Sequence, residues 1–390
     1  MRDVYVVGIG ITSFTRLDYP LAEIAAYPAL QAMQDAGLDK VDHVYVANMG
    51  GGRVSNQTAL GSAVVDHLCL WPVGAETIEN GPASGASAIK TGAMAIASGM
   101  MDTVLVTGAE RMNEVNSLEA TDFVATLAHP MAERIYGVTL PALAGMFTRL
   151  YMERYGVTSR HLAMVAIKNH ANACLNQFAH VQNKISMDGI LDGKDASHNN
   201  PVIADPLRFF DICPVSDGGA AVILASAEVA KKLGKPLVKL AGFGQATDTH
   251  AVHEREDPTA LTAVRLAADK AFKMAKLKPA DVDVAELHDA FTILEIAESE
   301  EVGFFEKGKG HLALERGETA LNGKLPINTS GGLKARGHAV GATGIAQAHE
   351  IVLQLRGDAK KRQVKDAKVG FTCNFGGFGN NVVCLAMVRE

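Results

Sequence analysis

Short apolar runs alternate with amphipathic segments along the whole chain, and the alternation repeats once. Residues 4–12, VYVVGIGIT, form an apolar run ending in Gly-x-Gly, and residues 238–247, VKLAGFGQAT, have the same character. Each is followed by an Ala-rich stretch, starting at Leu21 and at Leu261. These stretches end in a polar turn and a further apolar run, AGLDKVDHVYV at 36–46 and AKLKPADVDVAEL at 275–287. Val264, Ala267, Ala268, Ala271 and Phe272 keep the three- and four-residue spacing of a helix with one buried face. Strand, helix, turn and strand in this order predict a largely parallel sheet, because parallel neighbours need the crossover that a helix supplies. Further strands are expected at 103–107, 220–224, 369–372 and 382–386.

The repetition predicts two α/β halves, 1–235 and 236–390, each with its own sheet and helices against it. The stretch from about 119 to 200 has no counterpart in the second half. Its polar segments, such as His198-Asn199-Asn200-Pro201, read as an inserted, lid-like subregion. Gly8-Ile9-Gly10 and Gly242-Phe243-Gly244 lack the third glycine of a dinucleotide fingerprint, and are read as tight strand exits.

Composition narrows the partners. The 390 residues are 48% hydrophobic and 21% charged, with net charge −6 and no Lys/Arg block, which argues against nucleic acid or an anionic membrane and for a small molecule or a protein. No apolar run approaches the roughly 20 residues of a membrane span. The five cysteines, Cys69, Cys174, Cys213, Cys373 and Cys384, are odd in number and form no C-x-x-C pair, so neither a disulfide framework nor a metal site is indicated. A reducing cytoplasm is the expected location, and the final residues Val388-Arg389-Glu390 form no peroxisomal tripeptide.

Candidate chemistry gathers in four glycine-flanked segments. The first, 79–90 (ENGPASGASAIK), leads into a small-residue helix and has the form of a strand-to-helix elbow. The second is Glu286-Leu287-His288-Asp289-Ala290-Phe291 at the end of an expected strand. The third runs from Asn328-Thr329-Ser330-Gly331-Gly332 through Gly337-His338 to Gly341-Ala342-Thr343-Gly344. The fourth is Thr372-Cys373-Asn374-Phe375-Gly376-Gly377-Phe378-Gly379-Asn380-Asn381.

Together these segments resemble the thiolase superfamily, in the branch shared by the thiolase domain of sterol carrier protein X and the archaeal-type acetoacetyl-CoA thiolases. The resemblance runs nearly end to end and takes in Ile203-Ala204-Asp205-Pro206-Leu207 and Ser216-Asp217-Gly218-Gly219. It implies the thiolase fold: two pseudo-twofold-related halves in five layers, α-β-α-β-α, with buried central helices and a dimeric or larger assembly. It also implies coenzyme A as part of the substrate, with no tightly bound cofactor.

The resemblance assigns roles position by position. The family's acyl-accepting cysteine corresponds to Pro82, which has no thiol and no backbone N–H. The N–H groups of the fourth segment, at Phe375 and Gly377, correspond to the family's other oxyanion donors. His338 and a water held by His288 correspond to the hole for the enolate of a second thioester, and Cys373 to the proton-transfer residue. What is retained stabilises charge on a thioester oxygen and moves a proton; what is lost accepts an acyl group.

Retro-aldol cleavage of a β-hydroxyacyl-CoA fits this set, with Cys373 or His338 as the base. The alternatives are a thiolase with an atypical site, or a non-catalytic subunit beside a thiolase paralogue or a small OB-fold/zinc-ribbon protein. Arg134, Arg149, Arg154, Arg160 and Lys168 are the cations offered for the CoA phosphates. Phe291, Met146, Phe147 and Tyr136 are offered for the acyl pocket, and Cys69, Cys174, Cys213 and Cys384 are read as structural.

Overall fold

The computed structural model describes residues 2–191 and 199–390, so His198 lies outside the described residues. The chain begins with β1 (Val4–Ile11), α1 (Leu21–Ala36), β2 (His43–Ala47), α2 (Leu60–His67), β3 (Gly74–Ile78), α3 (Ser84–Ser98) and β4 (Thr103–Arg111). An excursion follows with α4 (Ser117–Ala125), α5 (Leu140–Tyr155), α6 (Ser159–Ala173), α7 (Met187–Leu191) and the small hairpin of β5 (Val202–Ala204) and β6 (Leu207–Arg208). The chain then returns as β7 (Asp217–Ser226) and α8 (Ala227–Lys232). The second half comprises β8 (Val238–Thr247), α9 (Thr262–Ala275), β9 (Val284–Glu286), α10 (Thr292–Glu301), α11 (Gly310–Glu315), α12 (Gly332–Arg336), α13 (Thr343–Arg356), β10 (Val369–Gly376) and β11 (Asn381–Arg389).

Among the described residues the strands form a nine-stranded sheet in the order β3-β2-β4-β7-β1-β8-β11-β10-β9. In the first half β7 alone runs against the others, and in the second half β11 alone does, so each half is mostly parallel with one reversed strand. The repetition in the sequence predicts a separate sheet for each half. Instead a short antiparallel ladder, Tyr5↔Lys239 and Val6↔Val238, joins them. The two repeats of the apolar Gly-x-Gly run are therefore the two strands that meet at the centre.

The layering follows from which face each strand residue presents. Tyr5 and Val7 pack with Val44, Val46 and Leu105 against α1 and α2, whereas Val4, Val6, Val104 and Val106 face α3 and α13. Val383, Leu385 and Met387 of the second half meet the same two helices from the other side. Ala267, Ala268, Ala271 and Phe272 of α9 cover the outer face of that half. The result is α-β-α-β-α, with α3 and α13 enclosed. Two helices can cross this tightly because a Cβ on Gly85 would lie 2.8 Å from the Ile345 nitrogen and 2.9 Å from that of Gly344.

The Gly-x-Gly motifs are not strand exits. A Cβ at Gly8 or Gly10 would lie 2.1 or 2.0 Å from the carbonyl oxygens of Ala32 and Pro28 in α1. At Gly242 or Gly244 it would lie 2.3 or 2.0 Å from those of Ala271 and Ala267 in α9. Glycine is required because each outer helix rests directly on the backbone of its strand.

The excursion packs against the second half. Leu143, Phe147 and Tyr151 of α5 share a core with Val264, Ala268, Leu294 and Phe371 of the second half, and Tyr151 hydrogen-bonds Glu300. Among the described residues no helix is long and apolar enough to cross a membrane.

Candidate active site

All four glycine-flanked segments converge at one end of the central helices. The elbow between β3 and α3 is tied by its own atoms: Gly81 takes φ +53, Asn80 N–H donates to Ser84 Oγ at 2.8 Å, and Ser84 Oγ donates to the Gly81 carbonyl at 2.6 Å. Pro82 stands just before Ala83, the residue that precedes α3. A donor is thereby missing where the chain turns toward the cavity. Asn381 Nδ2 donates to Asn80 Oδ1 at 2.5 Å, fastening the fourth segment to the elbow.

The third segment is held by buried carboxylates. Glu110 accepts from Met49 N–H, Gly50 N–H and Asn48 Nδ2, and its Oε2 also accepts Gly341 N–H at 3.0 Å, which fixes the loop after His338. Burial pushes its carboxyl up to about 7 against those hydrogen bonds. Asp289 accepts Leu333 N–H at 2.6 Å, so the second segment supports α12. Asn328 Oδ1 accepts Leu287 N–H at 2.8 Å and Glu298 accepts His288 N–H at 2.9 Å, fixing the backbone on either side of the strand end.

These supports define a cavity of about 190 Å³ whose wall includes Pro82, His288, His338, Phe375 and Gly377. The remainder is largely apolar, with Met112, Val124, Leu127, Ile212, Phe291 and Phe378 prominent. The rings of His288 and His338 meet edge to face at 5.2 Å, and Phe375 stacks on His288 at 5.2 Å with an interplanar angle of 4°. His288 Nδ1 meets Asn374 Nδ2 at 3.2 Å, and His338 Nδ1 meets Thr343 Oγ1 at 2.7 Å. Burial, reinforced by the Arg336 guanidinium, pushes His338 down to about 3. Burial, then His338, then Arg336, hold His288 well below the usual imidazole range. Both rings are neutral at pH 7, and neutral imidazoles can each donate from one nitrogen and accept at the other.

The structure thus brings Pro82, His288, His338, Phe375 and Gly377 together. Cys373 is not on the cavity wall. It pairs with Cys384 across the β10–β11 ladder, and burial, Cys384 and Glu298 push its thiol well up, as expected of a proton held in an apolar interior. The thiol that does line the cavity is Cys213, which stands in no motif; burial raises it to about 12 while Lys334 opposes.

The expected phosphate cations are absent from the wall as well. Arg134 pairs with Asp122 at 3.1 Å, Arg149 with Asp205, Arg154 with Asp257 at 2.8 Å, and Lys168 with Glu295 at 3.0 Å. Phe291 lines the cavity, whereas Phe147 is buried against Tyr151, and Met146 and Tyr136 are exposed. Sequence reasoning missed Thr343, Asn374 and the wall supplied by α4. Thr343 and Asn374 lie inside the quoted motifs, but nothing in their spacing says which nitrogen they meet. Among the described residues no group of His, Cys, Asp and Glu could hold a metal ion.

A layered α/β protein of two similar halves, with its histidines grouped at the ends of buried helices, is the architecture that comparison with known proteins recovers. The family model for the thiolase N-terminal domain matches residues 4–228, and that for the thiolase C-terminal domain-like family matches 244–388. The chain belongs to the thiolase family. It is 43% identical over 382 residues to an acetyl-CoA acetyltransferase of Methanothermobacter thermautotrophicus, covering 97% of each chain. It is 32% identical over 413 residues to Homo sapiens sterol carrier protein 2, covering 99% of this chain and 72% of that one. Among solved structures, an Ltp2-ChsH2(DUF35) aldolase superposes with TM-score 0.84 at 24% identity, covering 99% of this chain and 98% of that one, a likeness of fold.

Proposed function

We propose that this protein makes or breaks a carbon–carbon bond next to a CoA thioester through an enolate, without an acyl-enzyme. The observation that carries the reading is the pairing of Pro82 with two neutral imidazoles, His288 and His338, on one cavity wall. A proline at that position cannot take an acyl group, and its nitrogen cannot complete an oxyanion hole, a loss of about 3 kcal/mol in transition-state stabilisation before the absent thiol is counted.

In the retro-aldol direction the β-hydroxyl of a β-hydroxyacyl-CoA gives its proton to a base on the wall. The Cα–Cβ bond breaks, its electron pair enters the enolate of the thioester, and the departing fragment leaves as a carbonyl compound. Protonation at Cα yields the shortened acyl-CoA. Hydrogen-bond donors at the thioester oxygen lower the barrier because charge develops there only as the bond breaks. The apolar walls suit an acyl portion poor in polar groups and exclude water from the enolate.

A second reading is favoured by the 43% identity to a protein named acetyl-CoA acetyltransferase: acyl transfer in which another group does the work of the missing thiol. Under either reading CoA is a substrate component. Its phosphates, if bound by Arg134, Arg149 or Arg154, would have to displace Asp122, Asp205 or Asp257. An assembly with a second copy, a thiolase paralogue or an OB-fold/zinc-ribbon subunit is part of the proposal. The structural neighbour's own name, Ltp2-ChsH2(DUF35) aldolase, couples Ltp2 with a second component in that protein.

The test is incubation of the purified protein with panels of β-hydroxyacyl-CoA and β-ketoacyl-CoA, with and without free CoA. Cleavage of hydroxy substrates that needs no CoA is the expected result. CoA-dependent thiolysis of keto substrates would replace it with the second reading.

A further inference from the structure

The two cavity imidazoles are chemically alike, but their buried partners are not. Asn374 is fully buried, and one orientation of its amide suits both neighbours: the Ala86 backbone N–H donates to Oδ1 at 3.4 Å, which turns the NH2 group toward His288. The approach is possible because residue 344 has no side chain; a Cβ there would lie 2.2 Å from Asn374 Oδ1. An NH2 group only donates, so His288 Nδ1 must accept, and in the neutral ring the proton resides on Nε2.

Thr343 imposes the reverse. Its hydroxyl, with a single proton, lies 3.0 Å from the Ala339 carbonyl, an arrangement in which it donates to that oxygen. Were the proton turned to His338 instead, two oxygen lone pairs would face each other at that distance. Thr343 Oγ1 therefore accepts from His338 Nδ1 at 2.7 Å, and His338 Nε2 carries a lone pair. Both rings line the cavity and both use Nδ1 on the buried side, which leaves Nε2 as the nitrogen turned to a substrate.

We infer that Thr343 and Asn374 are positioning residues that hold the two imidazoles in opposite tautomers, making His338 the proton acceptor and His288 the hydrogen-bond donor. The inference rests on the enolate reading above and divides its labour. His338 Nε2 takes the β-hydroxyl proton as the Cα–Cβ bond breaks, and His288 Nε2–H donates to the thioester oxygen on which negative charge accumulates. The imidazolium formed on His338 then lies 5.2 Å, centroid to centroid, from the ring that holds the enolate, so the two charges created in the step arise side by side. The same imidazolium returns its proton to Cα, closing the cycle.

The experiment is nitrogen-15 NMR of the full-length protein labelled at histidine, without substrate, with the two rings assigned by loss of signal in His288→Asn and His338→Asn. The expected spectrum has His338 protonated at Nδ1 and His288 at Nε2. Thr343→Val keeps the shape but removes the acceptor and should shift the His338 proton, with kcat falling about 10–100-fold at little change in KM, and Thr343→Ser should restore both. Asn374→Asp replaces the donor by an acceptor and should draw the His288 proton to Nδ1. A wild-type spectrum with both rings protonated at the same nitrogen overturns the inference, even where a variant fails to fold. Expected tautomers in a protein that cleaves nothing would overturn the enolate reading and leave the assignment standing.

Discussion

The imidazoles of His288 and His338 stand edge to face, their centroids 5.2 Å apart and their planes at 88°, although 49 residues separate them and they come from different segments of the second half. Asp289 draws the two segments together, since it follows His288 directly and accepts the N–H groups of Leu333 and Lys334 in α12. The cavity's chemistry thus depends on a buried carboxylate that never reaches it.

Removing either ring should separate the two roles. His338→Ala is expected to lower kcat for cleavage of a β-hydroxyacyl-CoA by about 10²–10⁴-fold, the usual contribution of a positioned base. His288→Ala, which removes one donor to developing charge, is expected to cost about 10²–10³-fold. Steady-state kinetics on the substrate that the panel identifies will measure both, and a variant that keeps wild-type kcat would remove its histidine from the mechanism.

Pro82→Cys places a thiol in front of α3. With acetyl-CoA, intact-protein mass spectrometry of this variant should reveal a covalent acetyl group that wild-type protein does not acquire at residue 82. The surrounding wall, with His338 intact, is the reason to expect reactivity. Failure of the variant to acylate while correctly folded would mean that the elbow no longer presents residue 82 to a thioester.

Acid should destabilise the protein partly through His349. Burial, resisted by Glu350 and assisted by Arg362, Arg336 and Arg356, pushes this ring down to about 4, whereas in the unfolded chain it titrates near 6.5. The unfolded state therefore binds the extra proton between these values, so stability is intact above about 6.5 and is lost as pH falls toward 4. His349→Gln should flatten that loss by on the order of 3 kcal/mol between pH 7 and pH 4, read as the pH dependence of urea midpoints. Parallel curves for the two proteins would contradict the assignment.

Gly244→Ala tests the contact of α9 with β8. The added Cβ would lie 2.0 Å from the Ala267 carbonyl oxygen, and backbone cannot swing aside as a flexible side chain can. The expected cost is about 1–3 kcal/mol or more, measured by denaturant unfolding, and Phe243→Leu on the same strand should cost less. Equal stability of Gly244→Ala and wild type would show that the helix stands off the strand.

How much is legible in the sequence depends on the range of the interaction. β1 and β8, and the helices α1 and α9 behind them, follow from apolar periodicity and a repeated Gly-x-Gly, because burial of one face is written into spacing along the chain. The reason for those glycines is not legible, since the atoms they avoid, in Ala32, Pro28, Ala271 and Ala267, belong to a different element in each case. Cys373 and Cys213 show the same limit. Motif context points to the first, yet the pairing of β10 with β11 turns it toward Cys384, while the second, with no motif, reaches the cavity wall.

The sequence by itself determined the repeated strand–helix halves, the proline at position 82 and the histidines at 288 and 338, because each is a property of local residue order. Only the tertiary structure decided that the halves share one sheet, that Arg134, Arg149 and Arg154 are engaged by aspartates, and that Thr343 and Asn374 meet the Nδ1 atoms of His338 and His288. Those outcomes depend on which polar atoms find partners once water is excluded, and burial fixes such partners between residues far apart in the chain.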